Sequence, residues 1–225
     1  MRFWRNAESR GFSKHAWVAN QTGKFPGHST AMNDTTPSTE FVETLSTRDW
    51  LDAARTLLIQ EGVEAVKIGR IAKECGVTRG GFYWRFKDRS ELLDALLDEW
   101  RTSNTAPLLA ALAGPGTPAK RFRAAASLWI EEQDFDPHFD RAVRNWALAA
   151  PEVAATVHKI DEERIDGFAA LFRDAGHESD EALVRSRIVY YHQVGYYALN
   201  IDQSADERKR LADIYFRVLT GFSDF

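Results

Sequence analysis

Between Lys67 and Arg89 the chain places seven cations, Lys67, Arg70, Lys73, Arg79, Arg85, Lys87 and Arg89, against two anions, Glu74 and Asp88. Embedded in this stretch is Thr78-Arg79-Gly80-Gly81-Phe82-Tyr83-Trp84-Arg85-Phe86-Lys87, which combines positive charge, two adjacent glycines and aromatic rings. The chemistry these residue types offer is recognition of a polyanion. Small residues let backbone amides approach a phosphate or a base edge, and lysine and arginine neutralise phosphate charge. The remainder has the opposite sign, with 14 cations and 19 anions from Thr105 to Phe225, inside a chain of 225 residues with net charge −4. A basic module carried by an acidic body binds an anion locally while the body is kept off it.

Residues for catalysis are not arranged in a comparable way. The chain contains no Gly-x-Ser-x-Gly, His-Glu-x-x-His, Glu-x-x-His, Gly-x-Gly-x-x-Gly or Gly-Lys-Ser/Thr pattern. Glu131-Glu132 and Asp161-Glu162-Glu163 are neighbours in sequence, so on helices they are expected to splay as solvated faces. The single cysteine, Cys75, can form neither an intramolecular disulfide nor a zinc framework, so no metal and no cofactor is expected. It suits a reducing compartment, as does the absence of a secretory signal pattern, and the expected location is cytoplasmic. No run of about 18 apolar residues is present, so no membrane span is expected.

The elements that must position the basic stretch read as helices throughout, and strand alternation is absent. Ser46 or Thr47 can cap a first helix with Trp50, Leu51, Ala54, Leu57 and Leu58 on one face, ending at Gly62. A second, short helix carries Ile68, Ile71 and Ala72 and stops at Cys75-Gly76. After Val77, Thr78 can cap a third short helix with Phe82, Tyr83 and Phe86. Together the second and third read as a helix-turn-helix, Gly76 making the turn and Val77 filling the angle. A fourth helix begins at Ser90 with the stripe Leu92, Leu93, Leu96, Leu97 and Trp100. Beyond the break Ala113-Gly114-Pro115-Gly116, Thr117-Pro118, Asp136-Pro137 and Ala150-Pro151 start three more helices, and two others cover about 180–199 and 204–222. The expected fold is all-α, with nine helices.

The residues Leu51-Asp52-Ala53-Ala54, Gly62, Ile71-Ala72, Gly76-Val77-Thr78-Arg79-Gly80, Phe82-Tyr83, Phe86 and Leu92 follow one another in the order and spacing of the tetracycline-repressor-type (TetR) regulators. From about Ser46 to Trp100 the chain resembles that family. The resemblance implies an N-terminal three-helix helix-turn-helix domain on a C-terminal helical body that dimerises and binds a small molecule. It also implies a sequence-specific DNA-binding regulator, a repressor that a ligand releases from a roughly palindromic double-stranded operator. By position, it implies that Tyr83 contacts a phosphate, that Arg89 stands where a phosphate-binding lysine is usual, and that Thr78, Arg79, Gly80 and Gly81 approach the groove. Arg85 and Lys87 add charge, Lys67 is expected to reach a phosphate in place of a Ser or Thr cap, and Ser46 and Thr47 join the DNA face at the start of the first helix. Trp84 serves either base readout or packing against that helix. Phe82 and Phe86 are expected in the core.

The domain limits expected are 1–45 as a disordered or mis-started extension, 46–104 as the DNA-binding domain and 105–225 as the ligand-binding and dimerisation domain. Cations such as Arg2, Arg5 and Arg10 could alternatively form a DNA-touching arm. The last two helices carry more apolar surface than one face can bury: Val184, Ile188, Tyr191, Gly195 and Ala198 form one stripe, Tyr190, Val194, Tyr197 and Ile201 another. A homodimer through these helices would cover both. Within the aromatic-rich body, Trp129, Trp146, His192 and Tyr196 are the candidates for contacting a small, hydrophobic effector. Two other functions stay open at this point, a helical protein–protein interaction module without DNA binding and an all-α enzyme.

Overall fold

The computed structural model of the protein describes residues 45–201 and 203–222. The readings for residues 1–44, extension or DNA-touching arm, lie outside the described residues. Leu45 is partly buried against the core.

Among the described residues the secondary structure is entirely helical. The order is α1 (Thr47–Glu61), a 3-10 turn (Val63–Ala65), α2 (Ile68–Glu74), a second 3-10 helix (Arg79–Trp84) and α3 (Arg89–Leu112), which form or reach the N-terminal head. The body continues with α4 (Pro118–Glu131), α5 (Pro137–Ala147), α6 (Pro151–Asp174), α7 (Ser179–Ala198) and α8 (Ala205–Thr220). No helix of the described residues is long and apolar enough to cross a membrane, and they contain no metal-holding cluster of His, Cys, Asp and Glu.

Local chemistry accounts for the boundaries. At α1, Ser46 and Asp49 form a capping box: the Ser46 hydroxyl accepts from the Asp49 amide at 3.2 Å, and the Asp49 carboxylate accepts from the Ser46 amide at 2.7 Å. Asp88, Thr117, Asp136 and Ser204 cap α3, α4, α5 and α8 with their side chains, and proline opens α4, α5 and α6. The helix expected from Ser90 thus begins one residue earlier, on the Asp88 cap. The helix expected to end near Phe135 stops at Glu131, because Glu132 turns into the left-handed conformation, φ +53°.

Two differences matter for function. The element expected as a third short helix is a six-residue 3-10 helix, which leaves eight α-helices among the described residues where nine helices were expected. The domain limit expected between 104 and 105 falls inside α3, whose 24 residues run without a break from the head into the body. Pro107 lies within it, in the second-last turn, where it removes one amide without ending the helix.

Two apolar clusters follow from this continuity. The first contains Trp50, Leu57, Leu58, Ile71, Phe82, Leu92, Leu96 and Trp100, and it is completed by Phe139 and Val143 of α5 and by Val153, Val157 and Ile160 of α6. The second, built on Phe122, Trp129, Phe168, Phe172, Val189 and Phe216, holds α4, α6, α7 and α8 together.

Candidate nucleic-acid interface and effector cavity

The helix-turn-helix is fixed by backbone and ring contacts. The Val77 amide donates to the Ala72 carbonyl at 2.9 Å across the turn, and Gly76 adopts φ +68°, which a side chain would resist. Phe82 is fully buried, edge-on to Trp50 at 5.2 Å and stacked on Phe86 at 5.4 Å. With Phe82 anchored, the residues beside it point outwards: Tyr83 is 62% and Trp84 86% exposed. The packing of Trp84 against α1 does not occur, so its large apolar ring is offered to whatever the head meets.

Thr78, Arg79 and Gly80 are exposed in the same row, and Gly81 is half-buried. Neither glycine has a positive φ. A Cβ at Gly81 would meet nothing within 4 Å, and one at Gly80 only the Thr78 hydroxyl at 3.6 Å. Neither backbone conformation nor internal crowding therefore requires glycine here; what a side chain would fill is the outer space. Arg79 lies over Gly69 of α2, where an added methyl would come within 2.6 Å of its Nη2.

The cations divide by partner. Lys67, Arg79 and Lys87 are exposed and make no side-chain hydrogen bond or ion pair with a described residue. Arg85 is exposed and its Nε donates to the Leu45 carbonyl at 3.3 Å. Arg70 is held by Glu61 and Glu74, whose hydrogen bonds raise its pKa above the ordinary arginine value, so its charge is neutralised within the head. Arg89, expected on a phosphate, is turned inwards: Nε donates to the Val66 carbonyl and Nη2 to the Val63 carbonyl, both at 2.6 Å. The cause is local. The Val63 carbonyl accepts from the Val66 amide at 3.1 Å within the 3-10 turn and has a second lone pair to offer, and Arg89 at the first position of α3 reaches back to it and to the Val66 carbonyl. Ser46 uses its hydroxyl in the α1 cap, Thr47 is exposed beside it, and the Cys75 thiol is pushed up in pKa by burial.

In the body, Trp129, His192 and Tyr196 line one cavity of about 80 Å³ between α4, α7 and α8. Trp146 does not join them. On α5 it shares the face of Phe139, Ala142 and Val143, at helical spacing, and that face packs on the first cluster near the head. Sequence reasoning also missed Arg208 and Tyr197 of the cavity wall. Tyr197 donates to the Trp129 carbonyl at 2.8 Å, stacks on Phe135 at 5.6 Å, and has its pKa raised by burial. Arg208 forms a short ion pair with Glu132. Burial lowers the pKa of His192, favouring its neutral form, and its ring lies 5.3 Å from that of Tyr215.

Between cavity and head lies a buried polar network. Asp140 accepts from Trp100 Nε1 at 3.0 Å, Arg144 Nε at 2.7 Å and Arg164 Nη1 at 3.2 Å. Arg164 also reaches the Thr105 hydroxyl at 3.0 Å and the Tyr190 hydroxyl at 3.1 Å. Asp161, expected on a solvated face, accepts from Arg144 at 2.7 Å and from Tyr190 at 2.6 Å. Burial pushes the Asp140 carboxyl upwards in pKa, but Arg164 and Arg144 outweigh it and the net shift is downwards; Tyr190 is pushed up to about 12 by burial. A second link joins head and body directly: Arg55 of α1 binds Glu99 of α3 and Asp136, the cap of α5, with its guanidinium 4.6 Å from the Phe139 ring centre.

A basic helix-turn-helix presented by a three-helix head, on an all-helical body enclosing an aromatic cavity, defines a class of DNA-reading helical proteins. Residues 51–96 match the model of the bacterial regulatory proteins of the tetR family, so over these residues the head is similar to those regulators. The chain is 46% identical over 55 residues to the HTH-type transcriptional regulator AcrR of Shigella flexneri, a stretch covering 24% of each chain. It is 42% identical over 48 residues to the HTH-type transcriptional regulator TtgR of Pseudomonas putida, covering 21% of this chain and 23% of that one. The matched stretch thus spans about a quarter of the length of these relatives. The fold extends further. A TetR-family regulator from Streptomyces coelicolor superposes with a TM-score of 0.61 at 20% identity, over 78% of this chain and 93% of that one. A TetR/AcrR-family regulator from Thermobifida fusca gives 0.54 at 20% identity, over 79% and 98%.

Proposed function

We propose that the protein is a homodimeric, cytoplasmic transcriptional repressor that binds a roughly palindromic operator and leaves it when a small hydrophobic molecule enters the body. The observation that carries this reading is the exposed row of Lys67, Thr78, Arg79, Tyr83, Trp84, Arg85 and Lys87 around two glycines whose outer space is open. Exposed cations position a protein on the phosphate backbone, and the short recognition helix brings Arg79 and Trp84 towards base edges.

The dimer reading is supported by the apolar side chains exposed on α7 and α8, Val184, Ile188, Tyr191, Ile214 and Val218. Tyr190 and Tyr197 of the second stripe are covered within the chain itself, so it is the exposed side chains named here that two copies bury against each other, presenting two recognition helices to successive major grooves about 34 to 36 Å apart. Ligand response needs a mechanical link. The unbroken α3, the apolar packing of α5 and α6 on the head, and the Arg55–Asp136 pair are connections through which a change in the body moves the head. For each tenfold loss of DNA affinity, the ligand must favour the released arrangement by about 1.4 kcal/mol.

Selection of a preferred site from random duplexes, followed by fluorescence anisotropy on that site, tests the reading. Tight binding to the paired site and weak binding to either half alone are expected. Equal affinity for selected and scrambled duplexes at one salt concentration would replace it with a helical interaction module that does not read sequence.

A further inference from the structure

Gly69 is a helix glycine without a local reason. It stands second in α2, a helix of seven residues, and its φ is not positive. Alanine holds a helix better than glycine, so the backbone by itself favours a side chain here. The reason lies across the turn. A Cβ at Gly69 would come within 2.6 Å of Arg79 Nη2, 2.8 Å of Nε and 2.9 Å of Cζ, so the Arg79 guanidinium occupies the space that a side chain would take. No ion pair with a described residue holds it there, and Glu61 and Glu74 of α1 and α2 are engaged by Arg70. The guanidinium donors therefore stay available, and the room beside Gly69 sets where the planar fork stands.

Its place in the fold favours a base over a phosphate. Arg79 is the first residue of the 3-10 recognition helix, and the N-terminal residues of a recognition helix meet base edges in the major groove. Gly80 and Gly81 follow it, so Arg79 is the one long side chain of that first turn. The commonest specific contact of an arginine fork is to guanine, with O6 and N7 accepting together. In the groove its charge still displaces counterions, so it contributes to the salt dependence as a phosphate contact does.

We propose that Gly69 is a positioning residue for sequence reading: its missing side chain seats the Arg79 guanidinium against α2, aimed at a guanine in each half of the operator. The proposal rests on the reading of the protein as a sequence-specific DNA-binding regulator, and adds the base that is read and the residue that aims the reader.

Selection from random duplexes with the full chain, run in parallel on the wild type, Gly69→Ala, Arg79→Ala and the double variant, tests it. Anisotropy then compares the selected site with the same site carrying a replaced guanine pair in one half. The wild type should select a guanine in each half-site and lose roughly 5- to 150-fold in affinity when one is replaced, the range of a good bidentate contact. Arg79→Ala should bind both duplexes equally. Gly69→Ala keeps Arg79 but pushes its guanidinium aside, and should lose most of the same preference at the same base pair. Its thermal midpoint should hold or rise, because the clash is with the far end of a flexible side chain. In the double variant the loss should be no larger than in Arg79→Ala alone, as two residues acting through one contact require.

Full guanine preference in Gly69→Ala, loss at a different base pair, a fallen midpoint, or losses that add in the double variant each overturn the role of Gly69. Uniform weakening at every sequence in Arg79→Ala puts that cation on a phosphate and overturns the base assignment. A wild type that selects no sequence takes the regulator reading down as well; one that selects a site which Gly69→Ala reads unchanged leaves that reading standing and removes this proposal alone.

Discussion

The inward turn of Arg89 makes a quantitative distinction between two cations that look alike in sequence. If Lys67, Arg79, Arg85 and Lys87 each neutralise one phosphate, a dimer makes about eight such contacts, and log K against log salt falls with a slope of roughly −7. Lys67→Ala removes two contacts per dimer, so the slope should relax by about 2, to roughly −5, with the thermal midpoint unchanged because the Lys67 side chain bonds no described residue and its backbone bonds are kept. Arg89→Ala should do the reverse. It deletes two hydrogen bonds from a charged group to the Val63 and Val66 carbonyls, costing about 1.5 kcal/mol for a half-buried site, or roughly 3 to 6 °C in midpoint, and leaves the slope near −7. Anisotropy titrations of the selected operator from 50 to 300 mM salt, beside thermal melts, read both quantities. A slope relaxed by 2 in Arg89→Ala with an unshifted midpoint would refute the assignment and put this guanidinium on the DNA.

Gly81→Ala should leave the thermal midpoint unchanged or slightly raised, since the new Cβ meets nothing within 4 Å, while weakening operator binding at least several-fold; equal affinity would mean that nothing approaches this face. Asp140→Asn leaves Arg164, 2% exposed, short of its charge partner and should cost about 3 to 5 kcal/mol in urea unfolding; a loss below 1 kcal/mol would show the network to be dispensable. The pH dependence has a definite sign. Because the folded Asp140 pKa is depressed, its contribution is complete above the ordinary carboxylate value near pH 4 and is lost as pH falls through the folded value, so Asp140→Asn should flatten the acid limb of stability below about pH 4. Ile188→Asp, on the exposed face of α7, should shift sedimentation from dimer to monomer and weaken binding to the paired operator while sparing the fold; an unchanged dimer would place the interface elsewhere.

Helix existence and order were legible because capping and periodicity are local. Ser46 with Asp49, the prolines after Thr117 and Asp136, and the glycines at 62 and 76 act within one turn of where they stand. The continuity of α3 was not legible, since the apolar stripe ending at Trp100 is followed by Arg101, Thr102 and Ser103, which look like a boundary until Asn104 and Thr105 are seen buried against α5 and α6. Of the body candidates, Trp129, His192 and Tyr196 meet in one cavity, whereas Trp146 faces away because the orientation of α5 is set by tertiary packing. Arg164 could have been noticed: it interrupts the stripe Val157, Ile160, Phe168 and Leu171, and a cation on a buried face requires a carboxylate across from it. Which carboxylate, Asp140 from another helix, depends on contacts 24 residues apart. Arg89 could not be assigned from sequence, because its partners are the backbone carbonyls of Val63 and Val66, brought within reach by the 3-10 turn.

The first apolar cluster has a consequence for how this architecture can be recombined. Leu92, Leu96 and Trp100 are sealed from one side by α1 and from the other by Phe139, Val143, Val153, Val157 and Ile160, which lie 39 residues and more beyond the last of them. A fragment cut at the middle of α3 carries away the head but leaves its lid behind, exposing fully buried rings to water. The DNA-reading part is therefore not a cassette. A chimera that grafts it onto a foreign body will fold only when the graft brings α5 and the first three turns of α6, or when the recipient supplies side chains of matching volume at those five positions.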